Sequence, residues 1–260
     1  MRCAVVGHVE WVEFARVSEL PRSGTIVHAS EVYDEPGGGG AIVARQLALL
    51  AGRCELFTAL GDDALGHAAQ RRLAELGIDV HARFAGSTRR AWTHVDEQGE
   101  RTITVLGAKL LPDAPLPLEG YDLVFFISGT EAALRAARAA RFLAATVREL
   151  PTLQAAGVPI DLLVASANDP RERYDGSLDV ATVIVTDGER GGTANGERYD
   201  AIPPVRVVDT YGAGDSFAAA VAFALARRDS LRNALELGAR AGSAVVEGRG
   251  PYSTQLAFVG

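Results

Sequence analysis

Lysine is nearly absent from this chain: arginine carries almost all of the positive charge, and Lys109 is the one lysine among 260 residues. The phosphate-binding loop G-x-x-x-x-G-K-[ST] does not occur, so a P-loop nucleotide-binding mechanism is excluded. A G-x-S-x-G nucleophile elbow is also missing, and the five histidines do not cluster at metal-ligand spacing. The sequence therefore supports neither a serine hydrolase nor a metal-dependent hydrolase.

Cysteines and long apolar runs are scarce as well. Cys3 and Cys54 are the only cysteines, and their spacing suits neither a metal site nor a disulfide framework, so we expect two buried, reduced thiols. No signal peptide and no run of about eighteen apolar residues is visible. A formal net charge of -7 disfavours a general nucleic-acid or anionic-membrane surface. These observations predict a cytoplasmic protein without nucleic-acid or membrane partners.

Apolar segments alternate with helical patterns along most of the chain. Strand candidates are residues 2–7, 54–60, 123–127, 142–146, 160–164 and 182–186. Helix candidates are residues 41–50, 66–76, 132–140, 216–228 and 231–247. This alternation predicts an α/β fold in which a mostly parallel central sheet is flanked by helices on both faces. No linker divides the chain, so residues 1–260 are predicted to form a single domain.

Two polar, strand-like segments interrupt this alternation, at approximately residues 9–33 and 89–106. In the second segment, alternating stretches flank a turn at residues 96–100, which is the pattern of a β-hairpin. Strands outside the main sheet have an exposed edge, and pairing two copies of the chain is one way to cover it. We therefore expect a small β excursion from the main sheet.

The most informative stretch is DTYGAGD at residues 209–215, which connects an apolar segment to an Ala-rich helical one. Backbone N–H groups of a glycine-rich turn at a helix N-terminus are unpaired and can receive an anion. Asp215 would hold a carboxylate beside that anion hole. Phosphoryl transfer to a hydroxyl requires this combination of a charge-stabilising hole and a base. A dinucleotide fingerprint would need a third glycine where Phe217 stands.

This run resembles the DTxGAGD signature of the PfkB (ribokinase-like) carbohydrate kinases at every signature position. Other motifs follow the family order: the glycine run at residues 37–40, GDDALG at 61–66 and TDGERG at 186–191. The resemblance spans nearly the whole chain and implies a ribokinase-like fold. It also implies that residues 9–33 and 89–106 form a β lid over the substrate, through which two copies form a homodimer.

The resemblance implies an ATP-dependent carbohydrate kinase that uses ATP and Mg²⁺, and in some relatives K⁺. Asp215 is the implied general base, and Gly212, Ala213 and Gly214 form the anion hole. The implied nucleotide-binding residues are Thr186, Gly188, Gly191, Asp209 and Thr210. The implied substrate-binding residues are Gly38, Gly39, Glu10, Glu13 and Lys109. The implied metal ligands are Asp169 and Glu172.

Several positions depart from the family pattern on the substrate side. Ile42 stands where the family usually has an Asn that contacts sugar hydroxyls. Glu10 or Glu13 would have to replace an Asp that the family places near Val12. Because fixed polar partners decide which hydroxyls a site recognises, these changes leave the identity of the sugar open.

The phosphate side departs from the pattern too. The family's N-x-x-E motif, which helps to hold Mg²⁺, is represented either by Ser166 and Asp169 or by Asn168 and Glu172. Lys109 either clamps a phosphate of ATP or of an already phosphorylated substrate, or is a solvated loop residue. Arg148 and Glu149 follow a strand end, where ligands of α/β proteins gather.

Two further functions stay open at this point. A nucleoside kinase of the same fold would be favoured if an aromatic side chain such as Trp11 stacked on a base. A non-catalytic ligand sensor is favoured by Ile42 and by the altered N-x-x-E region, whereas the intact DTYGAGD run opposes it.

Overall fold

A computed structural model of the chain describes residues 1–257, which form thirteen β-strands and six α-helices. The strands are β1 (Cys3–Val6), β2 (Glu10–Arg16), β3 (Glu31–Gly37), β4 (Cys54–Leu60), β5 (Ile78–Phe84), β6 (Arg90–Val95), β7 (Arg101–Leu106), β8 (Leu123–Phe126), β9 (Leu143–Thr146), β10 (Ile160–Ser166), β11 (Val180–Thr186), β12 (Gly192–Ala194) and β13 (Glu197–Tyr199). The helices are α1 (Gly39–Ala51), α2 (Ala64–Glu75), α3 (Glu131–Ala137), α4 (Leu150–Ala156), α5 (Ala213–Ala226) and α6 (Leu231–Val246).

Nine of the strands form one sheet in the order β13-β12-β11-β10-β9-β8-β1-β4-β5. The seven strands from β11 to β5 run parallel, and β12 and β13 extend one edge in the antiparallel direction. Parallel neighbours need crossover connections, which here place helices on the sheet faces. The predicted α/β fold with a mostly parallel sheet is thus confirmed.

Both faces of this sheet are buried. In β1, Cys3 and Val5 pack in a core with α1, α2, α5 and α6, whereas Ala4 and Val6 pack in a second core with α3 and α4. Successive side chains of a strand point to opposite faces, so a strand between two cores must be apolar throughout. Cys3 and Cys54 are buried free thiols, and burial raises the pKa of Cys3 to about 12.

Four strands form a separate sheet in the order β3-β2-β6-β7, hereafter the second sheet. The pairs β2–β3 and β6–β7 are antiparallel and β2–β6 is parallel. Its inner face contributes Val12, Phe14, Ala91 and Val95 to a third core, which also contains Ile42 of α1 and Tyr211 of the DTYGAGD run. The second sheet therefore lies against the N-terminal ends of α1 and α5, and β3 extends to Gly37, beyond the predicted limit at residue 33.

Helix boundaries differ from the sequence-based prediction by a few residues, for local reasons. α2 begins at Ala64 because the Asp63 side chain accepts a hydrogen bond from the Gly66 N–H, which caps the helix earlier than expected. α5 begins at Ala213, so it already includes the glycine-rich turn. Within residues 1–257, no helix has both the length and the apolar character needed to span a bilayer. The cytoplasmic location stays a prediction.

The N-terminus of α1 lies against the end of β1 at van der Waals distance. A Cβ atom on Gly40 would lie 2.5 Å from the carbonyl oxygen of His8 and 2.8 Å from the carbonyl carbon of Gly7. These neighbours are backbone atoms, which cannot rotate away as a side chain can. Glycine at position 40 is therefore required for the helix to begin where it does.

We expect Gly40→Ala to lower the free energy of unfolding by about 3 kcal/mol, since the added methyl group forces backbone atoms apart. Gly214→Ala is the matched control, because a Cβ at Gly214 would meet no atom within 4 Å. In a helix that change is neutral or stabilising by up to about 1 kcal/mol. Urea unfolding measures both values, and equal midpoints for the two variants would contradict the close approach.

Candidate active site

The turn that precedes α5 is held by a buried carboxylate. Asp209 is fully buried, and its Oδ1 accepts a hydrogen bond from the Tyr211 N–H at 2.9 Å. Its Oδ2 accepts from the Gly250 N–H at 3.0 Å and from the Tyr33 hydroxyl at 3.3 Å. Burial raises the pKa of Asp209, and these hydrogen bonds oppose the rise. The side chain therefore fixes the shape of the turn.

The turn ends in a helix N-terminus with free donors. Gly212 is the residue before α5 and has φ 88°, a left-handed conformation that favours glycine. In the described residues 1–257, the N–H groups of Gly214 and Asp215 have no hydrogen-bond partner. First-turn amides have no partner within their own helix, and the helix dipole adds positive potential there. This end of α5 suits an anion.

Asp215 lies half-buried in the first turn of α5 and faces the beginning of α1. A Cβ on Gly39 would lie only 3.1 Å from Oδ1 of Asp215. Burial raises the pKa of Asp215 to about 6, and the charged groups that modify this value are Arg101, Glu172, Arg148 and Glu10. A carboxyl with this pKa is ionised at neutral pH and is more basic than an exposed aspartate.

The two helix N-termini are tied to each other. The N–H of Gly38, the residue before α1, donates to the Tyr211 hydroxyl at 3.2 Å. A Cβ on Gly212 would lie 3.2 Å from Cγ2 of Ile42. Ile42 thus packs against the glycine turn, which gives an apolar role to the position where the family usually has Asn. The structure brings Gly38, Gly39 and the DTYGAGD run together.

The two glutamates proposed for the substrate side lie on opposite faces of β2. Glu10 is buried, and its Oε2 lies 3.0 Å from Nε of Arg89, although the two are not aligned for a hydrogen bond. Glu13 is three residues further along the strand and pairs with Arg90 on the other face. Burial raises the pKa of Glu10 and Arg89 opposes the rise. Only Glu10 faces the candidate site.

A group of cations surrounds Glu10 and the buried His8. Burial, together with the charges of Lys109, Arg89 and Arg148, holds the pKa of His8 well below its usual range. The imidazole Nδ1 of His8 lies 3.0 Å from the Ser128 hydroxyl. Lys109 is partly buried and donates to Glu149 at 2.6 Å. Lys109 is therefore partly buried and paired with a carboxylate rather than a solvated loop residue.

Arg148 connects the two candidate metal ligands. It donates to Asp169 at 2.8 Å and also pairs with Glu172. Both carboxylates are thus within reach of one guanidinium, and Glu172 also acts electrostatically on Asp215. Two such oxygen donors close together fit the preference of Mg²⁺ for hard ligands.

The TDGERG loop lies at the carboxyl ends of β10 and β11. The Thr186 hydroxyl donates to the Ala165 carbonyl at 3.1 Å, which fixes the end of β11. A Cβ on Gly188 would lie 3.4 Å from Nδ2 of Asn168. Gly191 ends the loop with φ 80°. Asn168 therefore lies beside this loop, as a residue of an N-x-x-E motif near a nucleotide would.

Two charged residues of the site carry no sequence motif. Arg89 precedes β6 and Arg101 begins β7, so both belong to the polar segment at residues 89–106 that was predicted to form a hairpin of the β lid, without a role for either residue. Arg101 donates to the Thr210 carbonyl at 3.1 Å and to its hydroxyl at 3.2 Å. No signal in the sequence indicated Arg89, because the burial of Glu10, which requires a nearby cation, becomes apparent only in the structure.

A family model described as pfkB family carbohydrate kinase matches residues 1–119 and 126–257. An ATP-dependent ribose-1-phosphate kinase of Halopiger xanaduensis is 31% identical, with 84% of this chain and 83% of the relative covered. A ribokinase of Arabidopsis thaliana is 25% identical, with 95% and 76% covered.

Solved structures show the same fold. A ribokinase of Thermotoga maritima superposes with a TM-score of 0.80 at 22% identity, covering 99% of this chain and 96% of that one. A nucleoside kinase of Methanocaldococcus jannaschii superposes with a TM-score of 0.76 at 20% identity, covering 98% and 95%. At these sequence identities, the structural similarity shows that the fold is shared.

Asp215→Asn is expected to stabilise the protein at high pH only. The folded pKa of Asp215, about 6, lies above its ordinary value of 3.8, so stability falls as the pH rises through this interval. The amide does not ionise, so we expect the variant's Tm to exceed that of the wild type by roughly 2–6 °C near pH 8 and to match it near pH 4. Thermal unfolding at both pH values measures this, and a Tm difference independent of pH would contradict a raised pKa.

Proposed function

The chain belongs to the pfkB family of carbohydrate kinases, and we propose that it transfers the γ-phosphoryl group of ATP to a hydroxyl of a sugar-like small molecule. The observation that carries this proposal is the placement of the Asp215 carboxylate between two glycine-rich helix N-termini. A base beside an anion hole serves phosphoryl transfer, whereas a ligand sensor requires no base.

In the proposed reaction, Asp215 removes the proton from the acceptor hydroxyl as its oxygen attacks the γ-phosphorus of ATP. The bond to the β-phosphate oxygen breaks, and ADP leaves. The N–H groups at the start of α5 stabilise the charge that develops on the phosphoryl oxygens. Of the predicted donors Gly212, Ala213 and Gly214, Ala213 also donates to the Thr210 carbonyl at 3.4 Å, whereas the N–H groups of Gly214 and its neighbour Asp215 are unpaired. General base catalysis of this kind contributes about 10²- to 10⁴-fold in rate.

The nucleotide is proposed to lie between the TDGERG loop and the start of α5. Thr186, Gly188 and Gly191 would contact it from the loop, and Thr210 from the DTYGAGD run. Asp169 and Glu172 would hold Mg²⁺, which neutralises phosphate charge when bound. The Asp209 carboxylate, also predicted to bind the nucleotide, is not available for it, because it accepts three hydrogen bonds within the protein. This arrangement does not fit a K⁺ ligand, and no step depends on K⁺.

Glu10 is the proposed acceptor-binding residue, with Gly38 and Gly39 allowing the substrate to lie against the backbone. Arg89 and Lys109 supply positively charged donors to the same region, each beside a carboxylate partner. Because the Halopiger relative is named a ribose-1-phosphate kinase, sugars that already carry a phosphate are the first acceptors to test beside these donors. The indole N–H of Trp11 donates a hydrogen bond to Asp34 on the other face of β2. Trp11 is therefore not placed to stack on a base, which was the feature that would have favoured a nucleoside acceptor.

We also propose that two copies associate through the second sheet. β7 is an edge strand, and its backbone is unpaired on one side. Apolar side chains on the second sheet are exposed, among them Val32, Trp92, Ile103, Val105 and Leu106. In native proteins, an edge strand and an apolar surface of this kind are normally covered by another segment of the protein or by a partner.

Asp215→Asn should abolish turnover while leaving ATP binding intact. The amide cannot accept the hydroxyl proton, so we expect kcat to fall about 10²- to 10⁴-fold. ATP consumption is measured with Mg²⁺ and K⁺ across sugars, polyols, sugar phosphates and nucleosides, and ATP binding is measured by calorimetry. Turnover by Asp215→Asn at the wild-type rate would remove Asp215 as the base. Wild-type inactivity on the whole panel despite ATP binding would favour the sensor.

Glu10→Gln should raise the KM for the acceptor, because a charged hydrogen-bond acceptor in the buried part of the site is lost. We expect an increase of about tenfold or more. Glu13→Gln is the matched control on the opposite face of β2, and its acceptor KM should equal that of the wild type. If Glu13→Gln raises the KM as much as Glu10→Gln does, the assignment of the two faces is wrong.

A further inference from the structure

We infer that Arg101, supplied by the second sheet, binds the γ-phosphoryl group of ATP. This assignment rests on the proposed kinase function and adds a residue to it. Arg101 stands at the first position of β7, and neither the glycine motifs nor the charge pattern of the sequence indicates a role for it.

The guanidinium of Arg101 is anchored on the DTYGAGD run itself. Its Nη1 donates to the carbonyl oxygen and the hydroxyl of Thr210, at 3.1 and 3.2 Å. Thr210 precedes Gly212 by two residues, so the anchor lies next to the start of α5. The planar guanidinium presents its donors in a fixed fork that matches phosphate oxygens.

The turn before Arg101 is docked on the same run. The Gly99 carbonyl accepts hydrogen bonds from the Thr210 N–H at 2.9 Å and from the Thr210 hydroxyl at 3.1 Å. A Cβ on Gly99 would lie 3.0 Å from the carbonyl of Val208. Two neighbouring attachments therefore hold this end of the second sheet, and with it Arg101, over the anion hole.

Arg101 differs from the other site cations in its charge balance. Arg89 pairs with Glu10, Lys109 with Glu149, and Arg148 with Asp169 and Glu172. Among residues 1–257, no carboxylate lies within ion-pairing distance of Arg101, and its Nε and Nη2 make no hydrogen bond. Arg101 thus brings an uncompensated positive charge and free donors to the place where the unpaired N–H groups of Gly214 and Asp215 lie.

The electrostatics of Asp215 independently show that Arg101 is close to the reacting centre. After burial, Arg101 is the strongest influence on the pKa of Asp215, which it lowers. Of the other groups that act on this carboxylate, Arg148 lowers its pKa, whereas Glu172 and Glu10 raise it. Arg101 and Glu10 belong to the second sheet, and Arg101 is the one cation that this sheet contributes to the set.

Arg101→Gln tests the inference, with Arg101→Lys as the conservative variant. Arg16→Gln is the matched control, because Arg16 also reaches from the second sheet to this region and donates to the Val208 carbonyl at 3.0 Å. The primary measurement is the ratio of Mg·ATP to Mg·ADP affinity by calorimetry, which isolates the γ-phosphate and needs no acceptor. Thermal unfolding verifies that each variant is folded.

We expect Arg101→Gln to lower the ATP-to-ADP affinity ratio by about tenfold or more, since a charge-assisted contact to the γ-phosphate is lost. Arg101→Lys should recover part of the ratio, and Arg16→Gln should keep it. With an active acceptor, the acidic limb of the pH–rate profile should move to higher pH in Arg101→Gln, because Asp215 loses a favourable charge.

An unchanged affinity ratio in Arg101→Gln, or an equal loss in Arg16→Gln, overturns the inference. Wild-type inactivity on every acceptor would defeat the proposed kinase function alone, because the calorimetric comparison still decides whether Arg101 contacts the γ-phosphate. The two failures are therefore distinguishable.

Discussion

The close approach of two helix N-termini to one carboxylate is the constraint on which the site depends. α1 can begin beside β1 and Asp215 only because Gly39 and Gly40 have no Cβ atoms. α5 begins with a glycine turn for a similar reason, and Asp215 lies in its first turn. Two positive helix ends thus meet at a half-buried acid. The effect of burial on the pKa of Asp215 nevertheless outweighs that of the positive charges around it, because this pKa is raised to about 6 rather than lowered.

The second sheet is coupled to this centre by packing and by hydrogen bonds. Phe14 stacks on Tyr33 at 4.7 Å between ring centroids and meets Tyr211 edge-on at 5.0 Å. Tyr33 also donates to Asp209, and Arg101 donates to Thr210. A displacement of the second sheet therefore disturbs the turn that precedes α5. The position of the second sheet and the conformation of this turn therefore depend on each other.

Motifs and periodicity were enough to predict the fold and to indicate which residues meet at the N-termini of α1 and α5. The DTYGAGD run predicted a glycine turn before a helix because its glycines are specified by backbone geometry, which a local sequence records. Apolar runs predicted the strands of the central sheet because those strands are buried on both faces. Helix starts were less accurate, since a single capping contact such as that of Asp63 decides them.

Contacts between distant segments could not be predicted in the same way. The choice between Glu10 and Glu13 depends on which face of β2 is turned inward, and this follows from pairing with β3 and β6. Arg89 and Arg101 acquire their positions from the same pairing. The altered N-x-x-E region was ambiguous in the sequence, whereas in the structure Arg148 holds both Asp169 and Glu172. Tertiary pairing, rather than any local pattern, determines these positions.

The pH dependence of kcat/KM tests the central claim most directly, because it reports the pKa of the essential base in the free enzyme. With Asp215 as that base, activity should rise with pH through a pKa of about 6. An acidic limb with the pKa of an ordinary exposed aspartate, about 4, would contradict the account, since the base would then not be the carboxyl held between the N-termini of α1 and α5.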